Sequence, residues 1–329
     1  MKTNKSAGIN GFGRFGLHLI KYWLDRNRES TFTIKYINDD TLSIDHAIEI
    51  LRNDSEVIFN KYKIKKIDGK IRFLEPNGLI HEIEYVNTEK DKIPWLGEPD
   101  LFFECSGKNT VRKDCLEFFK GKTEIVMISA TSWDADKTIV YGYNHKEYNK
   151  NQKVVSYGSC TVNAFIPLCY FLDKLYGVLD ADVNVVHNIQ KYRLEENNTL
   201  NRKFCTLEKS GPNLLECVNN NNFTVNYTVV PYTGVSMIDF RFRLKKCPSL
   251  DKFITNLEHS IHEGELKDLY DIHEVDIGPE VHNCTTFSSI FIKENLRILN
   301  GQLYIFGYFD NENSVNRYYD LANYISTKI

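Results

Sequence analysis

The chain has 329 residues, 42% of them hydrophobic, and its 41 basic and 44 acidic side chains give a formal charge of −3 and a pI near 6.3. That length is enough for two domains with real cores, and the slight acidity gives no electrostatic case for a nucleic-acid or membrane partner. The eight cysteines show no Cys-x-x-Cys pair and no zinc spacing, and no uncharged apolar run reaches the ~18–20 residues of a membrane span, so a cytoplasmic protein with free thiols and no metal is expected.

The first element in chain order is a short strand, Ser6 to Asn10, followed at once by Gly11-Phe12-Gly13-Arg14-Phe15-Gly16. Leu17, Ile20, Trp23 and Leu24 then recur at helical spacing. A glycine-rich turn between strand and helix is suited to a dinucleotide. Gly11 permits the tight turn, Gly13 lets a pyrophosphate approach the backbone, and Gly16 lets helix and strand pack closely. Thr33 to Ile37 is the second strand and ends at Asp39. A carboxylate there accepts from ribose hydroxyls and repels a 2′-phosphate. Asp40 beside it adds to that repulsion, so NAD is expected as cofactor rather than NADP.

Strand candidates continue at Leu101–Phe103, Ile125–Ile128 and Val154–Ser156, alternating with helical or loop segments, which predicts a mostly parallel sheet. Past Cys160 the strands lengthen. Val235 to Leu244 alternates, with Ile238, Phe240, Phe242 and Leu244 on one face; Phe287–Ile292 and Leu303–Tyr308 look similar. This half is expected to be an antiparallel sheet with helices on one face. Ser314 to Ile329 reads as a closing helix, and Asn219 to Asn222 as a surface turn.

The chemistry is expected at Cys160. Ser159 is an N-cap candidate, and Phe165, Leu168, Leu172 and Leu175 follow at helical spacing, which puts the thiol in a first turn where unpaired N–H groups favour a thiolate. His187 sits in the apolar run of a later strand and can complete a thiolate–imidazolium pair. Taken alone, the two residues also fit a buried structural cysteine and a core histidine.

Together these segments resemble the glyceraldehyde-3-phosphate dehydrogenase family along nearly the whole chain. Ile9 to Gly16 resembles the family's opening, and Ile37-Asn38-Asp39 its ribose-binding acid. Ser129-Ala130-Thr131-Ser132 and Gly142-Tyr143-Asn144-His145 resemble the approach to the active-site strand. Ser159-Cys160-Thr161-Val162-Asn163 is similar to the catalytic motif, and Asp310-Asn311-Glu312 to the tail motif. The acyl-phosphate reductases of amino-acid synthesis share the plan, but their glycine loop looks different.

The resemblance implies an α/β protein. Residues 1–159 would form a Rossmann-type NAD-binding domain, joined by a C-terminal helix at 312–329. Residues 160–311 would form an α+β catalytic domain with an antiparallel sheet. Lys90, Ser106, Ser129 and Asn311 join the glycine loop and Asp39 as expected cofactor residues. Cys160 would attack an aldehyde, His187 would take its proton, and hydride transfer to NAD would leave a thioester for inorganic phosphate to cleave. Ser159, Thr161 and Thr206 would bind phosphate. A homo-oligomer, dimer or tetramer, is implied.

The departures from the family fall around the substrate phosphate. Val229 stands where the family carries a phosphate-binding arginine, Asn188 to Tyr192 replaces threonines, and the segment from His187 to Thr206 is much shorter. Lys191, Arg193, Arg202 and Lys203 are the candidate replacement cations, with Lys191 and Arg193 in the expected substrate set. Three readings remain: a phosphorylating dehydrogenase of glyceraldehyde 3-phosphate, the same chemistry on another phosphorylated or sugar-derived aldehyde, or a cofactor-binding paralogue without turnover.

Overall fold

The computed structural model describes residues 4–189, 201–231 and 234–329. The chain divides into two compact units, one running to Gly158 and including Val315–Ile329, the other Ser159–Ser314.

In the first unit, β1 (Lys5–Asn10), α1 (Arg14–Asp25), β2 (Phe32–Asn38) and α2 (Ile44–Asn53) open the chain. They are followed by β3 (Lys63–Ile67), β4 (Lys70–Leu74), β5 (Ile80–Val86), β6 (Leu101–Glu104), α3 (Arg112–Cys115), β7 (Ile125–Ile128), β8 (Lys137–Thr138) and β9 (Val154–Ser156). The nine strands are ordered β3-β4-β5-β2-β1-β6-β7-β9-β8. All neighbours are parallel except along the β3-β4-β5 ribbon, which the sequence reading did not anticipate. Asp68 and Gly69 both hold positive φ between β3 and β4, the two-residue turn that an Asp-Gly pair favours. β6 and β7 are buried along their full length, as continuous apolar runs in a parallel sheet covered on both faces should be. The strand order reverses between β1 and β6, so the loops after these two strands diverge and leave a crevice at their carboxyl ends.

The second unit holds α4 (Cys160–Tyr176), β10 (Val178–Ile189), α5 (Thr206–Leu214), β11 (Phe223–Pro231), β12 (Val235–Leu244), α6 (Leu250–His262), β13 (Tyr270–His273), β14 (Ser289–Ile292), β15 (Arg297–Leu299) and β16 (Gln302–Asp310). Its sheet runs β11-β10-β12-β16-β14-β13, with β15 on β16. The sheet is mixed rather than antiparallel. β10 pairs with β12, and β12 with β16, in antiparallel fashion, but β10/β11 and β13/β14 are parallel. The reason lies in the connections: long segments, one carrying α5, separate the partners of each parallel pair and allow a crossover in place of a hairpin. Phe165 of α4 packs against Phe223, Phe240 and Phe242 on the inner face of this sheet.

Pro167 interrupts α4 about two turns beyond its start, where it lacks an N–H for the Asn163 carbonyl. Tyr270 repairs the break. Its hydroxyl accepts from Leu168 N at 3.1 Å and donates to Ala164 O at 2.9 Å, taking the place of the bond those two groups would otherwise make. The last helix, α7 (Ser314–Ser326), returns to the first unit. Val315, Tyr318, Tyr319, Leu321, Ala322 and Ile325 are all fully buried in that unit's core, and the Tyr318 hydroxyl donates to Met127 O at 2.7 Å. No helix among the described residues is long and apolar enough to cross a membrane.

Candidate functional site

At the β1–α1 turn each glycine has its own reason. Gly11 has φ +99°, and a Cβ there would strike the Ser106 backbone. A Cβ on Gly16 would strike the Gly11 carbonyl, so strand and helix can approach this closely only without a side chain. A Cβ on Gly13 would meet nothing within 4 Å, so the loop backbone is open where Gly13 caps α1. An open, side-chain-free helix start with unpaired amides is suited to a pyrophosphate. Asp39 is buried beside it. Its Oδ1 accepts from Thr41 N, Thr41 Oγ1 and Leu42 N, and its Oδ2 from Phe12 N at 2.7 Å. Burial pushes the carboxyl up, but these bonds outweigh it and hold Asp39 below its ordinary value, ionised, with lone-pair capacity left on Oδ2.

A cavity of about 300 Å³ opens at the β1/β6 crevice, lined by Asn10, Gly11, Asp40, Lys90, Ser106 and Lys108 among others. Lys90 Nζ is 3.1 Å from Asn109 Oδ1 and 3.3 Å from Glu117. Ser106 binds Glu104 through both its N–H and its hydroxyl. Ser129 follows β7, and its N–H donates to Glu104 O at 2.9 Å. Three side chains of this region are already engaged within the unit. Asp40 is paired with Lys108 at 2.5 Å, so its charge is offset and adds little repulsion. Arg14 is committed to ion pairs with Asp54 and Glu56. The Phe15 ring packs edge-on against Tyr157 and Tyr318, as a core residue does.

In the second unit, Ser159 caps α4 and accepts from Val162 N at 3.4 Å, which sets Cys160 in the first turn. β10 brings His187 to it, with Nε2 3.5 Å from Cys160 Sγ. Both side chains lie deep in the unit yet keep part of their surface accessible. Burial pushes the Cys160 thiol up to about 12, and the Cys205 sulfur and the Glu312 carboxylate add to this. The Thr161 and Cys160 backbone N–H groups oppose the rise without overcoming it. Burial likewise takes His187 down to about 4. The depressed thiol expected from the sequence is therefore not found, because desolvation outweighs the helix start. A lone charge is disfavoured on either residue, and the imidazole lies within reach of the thiol proton. His187 Nδ1 makes no hydrogen bond among the described residues.

Hydroxyls gather next to this pair. Ser159 Oγ lies 2.9 Å from Thr206 Oγ1 and 3.2 Å from Thr161 Oγ1. Thr206 opens α5, so two helix starts converge on these groups. Thr161 is buried behind the other two, against the Cys205 sulfur at 3.5 Å. Asn311, also in this unit, is bound to Ser236 Oγ and donates to Asn188 O at 2.5 Å, next to His187 in the chain. Of the candidate cations, Arg202 is committed to Glu208 at 2.6 Å and to Val225 O at 2.8 Å. Lys203 is tied through its backbone N–H to Tyr227 O. Lys191 and Arg193 lie outside the described residues.

The sequence reading missed three neighbours of the pair: Cys205, Tyr227 and Phe309. The Tyr227 and Phe309 rings stand 5.6 Å and 5.8 Å from the His187 ring. Tyr227 had a visible signal, since it stands two residues before Val229 and so shares its strand face.

Comparison with known proteins bears on this arrangement. No family model matches the chain. Glyceraldehyde-3-phosphate dehydrogenase 2 of Caenorhabditis briggsae is 27% identical over 344 residues, covering 99% of each chain. Glyceraldehyde-3-phosphate dehydrogenase 1 of Bacillus cereus is 25% identical over 349 residues, 98% of each. The chain is thus similar to glyceraldehyde-3-phosphate dehydrogenases over nearly its whole length. The likeness is distant: at 25% identity over 344 residues, glyceraldehyde-3-phosphate dehydrogenase 2 of Trichormus variabilis is similar to about the same degree. The α/β plan, a mostly parallel nine-stranded sheet and a second mixed sheet, fits the architecture of this dehydrogenase family.

Proposed function

We propose that the chain is an NAD-dependent, phosphorylating aldehyde dehydrogenase that works through a thioester on Cys160. The observation that carries the reading is the Cys160–His187 pair at 3.5 Å beside the Ser159 and Thr206 hydroxyls at two helix starts. The first unit would hold the dinucleotide at the Gly11–Gly16 turn, with Asp39 on the adenosine ribose. The ionised Asp39 supports NAD over NADP, now without help from Asp40.

In this reading His187 Nε2 accepts the Cys160 proton as the sulfur attacks the aldehyde carbon, so the two charges form together and offset each other. The Cys160 N–H, at the start of α4, faces the oxyanion that develops on the former carbonyl oxygen. NAD, when bound, supplies the acceptor for the hydride that leaves the thiohemiacetal carbon. The protonated His187 then holds the proton needed to turn over the thioester. Inorganic phosphate binds at Ser159 and Thr206, with Thr161 behind them, where two sets of helix-start amides favour an anion. Its oxygen attacks the acyl carbon, the carbon–sulfur bond breaks, and an acyl phosphate leaves.

The test is NADH formation from an aldehyde with and without inorganic phosphate, with hydroxylamine trapping of the acyl phosphate. Phosphate-dependent NADH with a trapped product in the wild type, and neither in Cys160→Ala, is the expected result. NADH formed equally well without phosphate would reassign the second half-reaction to hydrolysis.

A further inference from the structure

This inference rests on the thioester reading and concerns the aldehyde it acts on. β11 runs parallel to β10, with His187 opposite Val229 and Val185 opposite Tyr227. Val225 and Val229 are buried, so Tyr227 between them points to the same inner face, toward His187. Val229 is 6% exposed and adds only an apolar surface. Tyr227 is half-buried, its ring centroid is 5.6 Å from that of His187, and its hydroxyl makes no hydrogen bond among the described residues. The phenol lies close enough to Cys160 and Cys205 to be affected by charge on either sulfur. Together with burial this pushes it well above its ordinary value and keeps it a neutral donor.

The charges nearby disfavour an anion on this side. A carboxylate, Glu312, acts on Cys160, and the guanidinium of Arg202 is already held by Glu208 and the Val225 carbonyl. Among the described residues no basic side chain is bound to Tyr227 or Val229, so a phosphate brought here would lose its water for little charge-assisted gain. A hydroxyl would lose little. It would meet a phenol able both to donate and to accept, with a ring and a valine for the C–H face of the chain.

We propose that Tyr227 selects the aldehyde by hydrogen-bonding a hydroxyl of a neutral polyhydroxy aldehyde, while Val229 and Glu312 disfavour an aldehyde that carries a phosphate. Tyr227 is thus a specificity residue placed beside the reacting sulfur. The Ser159–Thr206 corner remains available to inorganic phosphate.

The experiment measures steady-state NADH formation by the full-length protein with D-glyceraldehyde and D-erythrose, and with glyceraldehyde 3-phosphate and erythrose 4-phosphate, all at saturating inorganic phosphate. The wild type should show kcat/KM at least ~10-fold higher for the neutral member of each pair. Tyr227→Phe should raise KM for the neutral aldehydes about 5- to 10-fold, the value of one neutral hydrogen bond, with kcat and the KM for inorganic phosphate nearly unchanged. Val229→Arg should shift preference toward the phosphorylated aldehydes. Tyr227→Phe keeps the ring, so it carries the test even if the arginine variant does not fold. A wild type that prefers the phosphorylated aldehydes, or a Tyr227→Phe variant with unchanged KM for the neutral ones, overturns the assignment and leaves the thioester reading standing. No NADH from any of the four overturns both.

Discussion

Two groups of side chains flank the Cys160 sulfur and treat negative charge in opposite ways. The Ser159, Thr161 and Thr206 corner offers hydroxyls backed by two helix starts. The Tyr227, Val229 and Phe309 wall offers rings and a methyl surface, with a carboxylate, Glu312, acting on the same sulfur. Both are built on the same unit around the same thiol. The difference lies in the backbone: the corner is made of helix N-termini, whose amides have no internal partner, and the wall of strand residues, with β11 at the sheet edge and β16 inside it. Among the described residues, an anion-tolerant and an anion-averse surface thus stand side by side with helix starts, not basic side chains, making the difference.

The largest effect should follow from removing what both surfaces serve. Cys160→Ala is expected to lower turnover by ~10⁴-fold or more with cofactor binding intact, measured by NADH formation alongside nucleotide titration. Residual turnover near the wild-type rate would show that the corner and the wall do not surround the reacting atom.

Next, Thr206→Val removes one hydroxyl from the corner and none from the wall. The KM for inorganic phosphate should rise about 10- to 100-fold, since a hydrogen bond to a charged group is worth ~1.5–3 kcal/mol, while the KM for the aldehyde stays put. If the two constants move together, the division between the surfaces is not real.

The third test uses pH. His187, beside the wall, and His18, in the core of the first unit, are both lowered by burial to about 4. In the unfolded chain each histidine takes up a proton below about 6.5, but in the folded protein only near 4. The unfolded state therefore binds more protons between these values, and folding stability is lost as pH falls through that window while staying level above it. From about pH 7.5 to about 5 the loss should be about 2 kcal/mol for each histidine, seen as a falling Tm. His18→Gln should remove roughly its share of the slope. An unchanged slope would mean that burial is not what keeps these imidazoles neutral.

The smallest effect is expected at Cys205, whose sulfur is a weak partner for the Thr161 hydroxyl. Cys205→Ser should change the KM for phosphate by less than about 3-fold. A large effect would promote Cys205 to a working member of the corner.

Local features of this molecule were readable in the sequence. The Gly11–Gly16 turn is specified by contacts within one strand–turn–helix unit, and Val235–Leu244 by strict alternation, so pattern alone located both. Ser159 as the cap of α4 was equally local. What escaped depends on partners far apart in the chain. Tyr227 reaches His187 only because β10 and β11 pair in parallel, and the sequence reading had no strand at β11. The antiparallel expectation for the second sheet failed for the same reason, since alternation fixes which face a residue takes but not the direction of the neighbouring strand. The fate of Arg14 was hidden too, because Asp54 and Glu56 lie beyond the next strand and helix. The raised Cys160 thiol and the lowered His187 depend on desolvation, a property of the folded unit rather than of any motif.

The return of α7 to the first unit has a consequence for the order in which the protein can be made. Residues up to Gly158 leave the ribosome first, yet their core is not closed until Val315–Ile329 has been synthesised. The whole of Ser159–Ser314 comes in between, which at ~5–20 residues per second means a delay of roughly eight to thirty seconds. During that interval Phe15, Phe32 and Phe103 lack the tyrosines of α7 that cover them in the finished structure. The nascent first unit therefore waits with those rings uncovered, an apolar surface of the kind that makes incomplete domains prone to association.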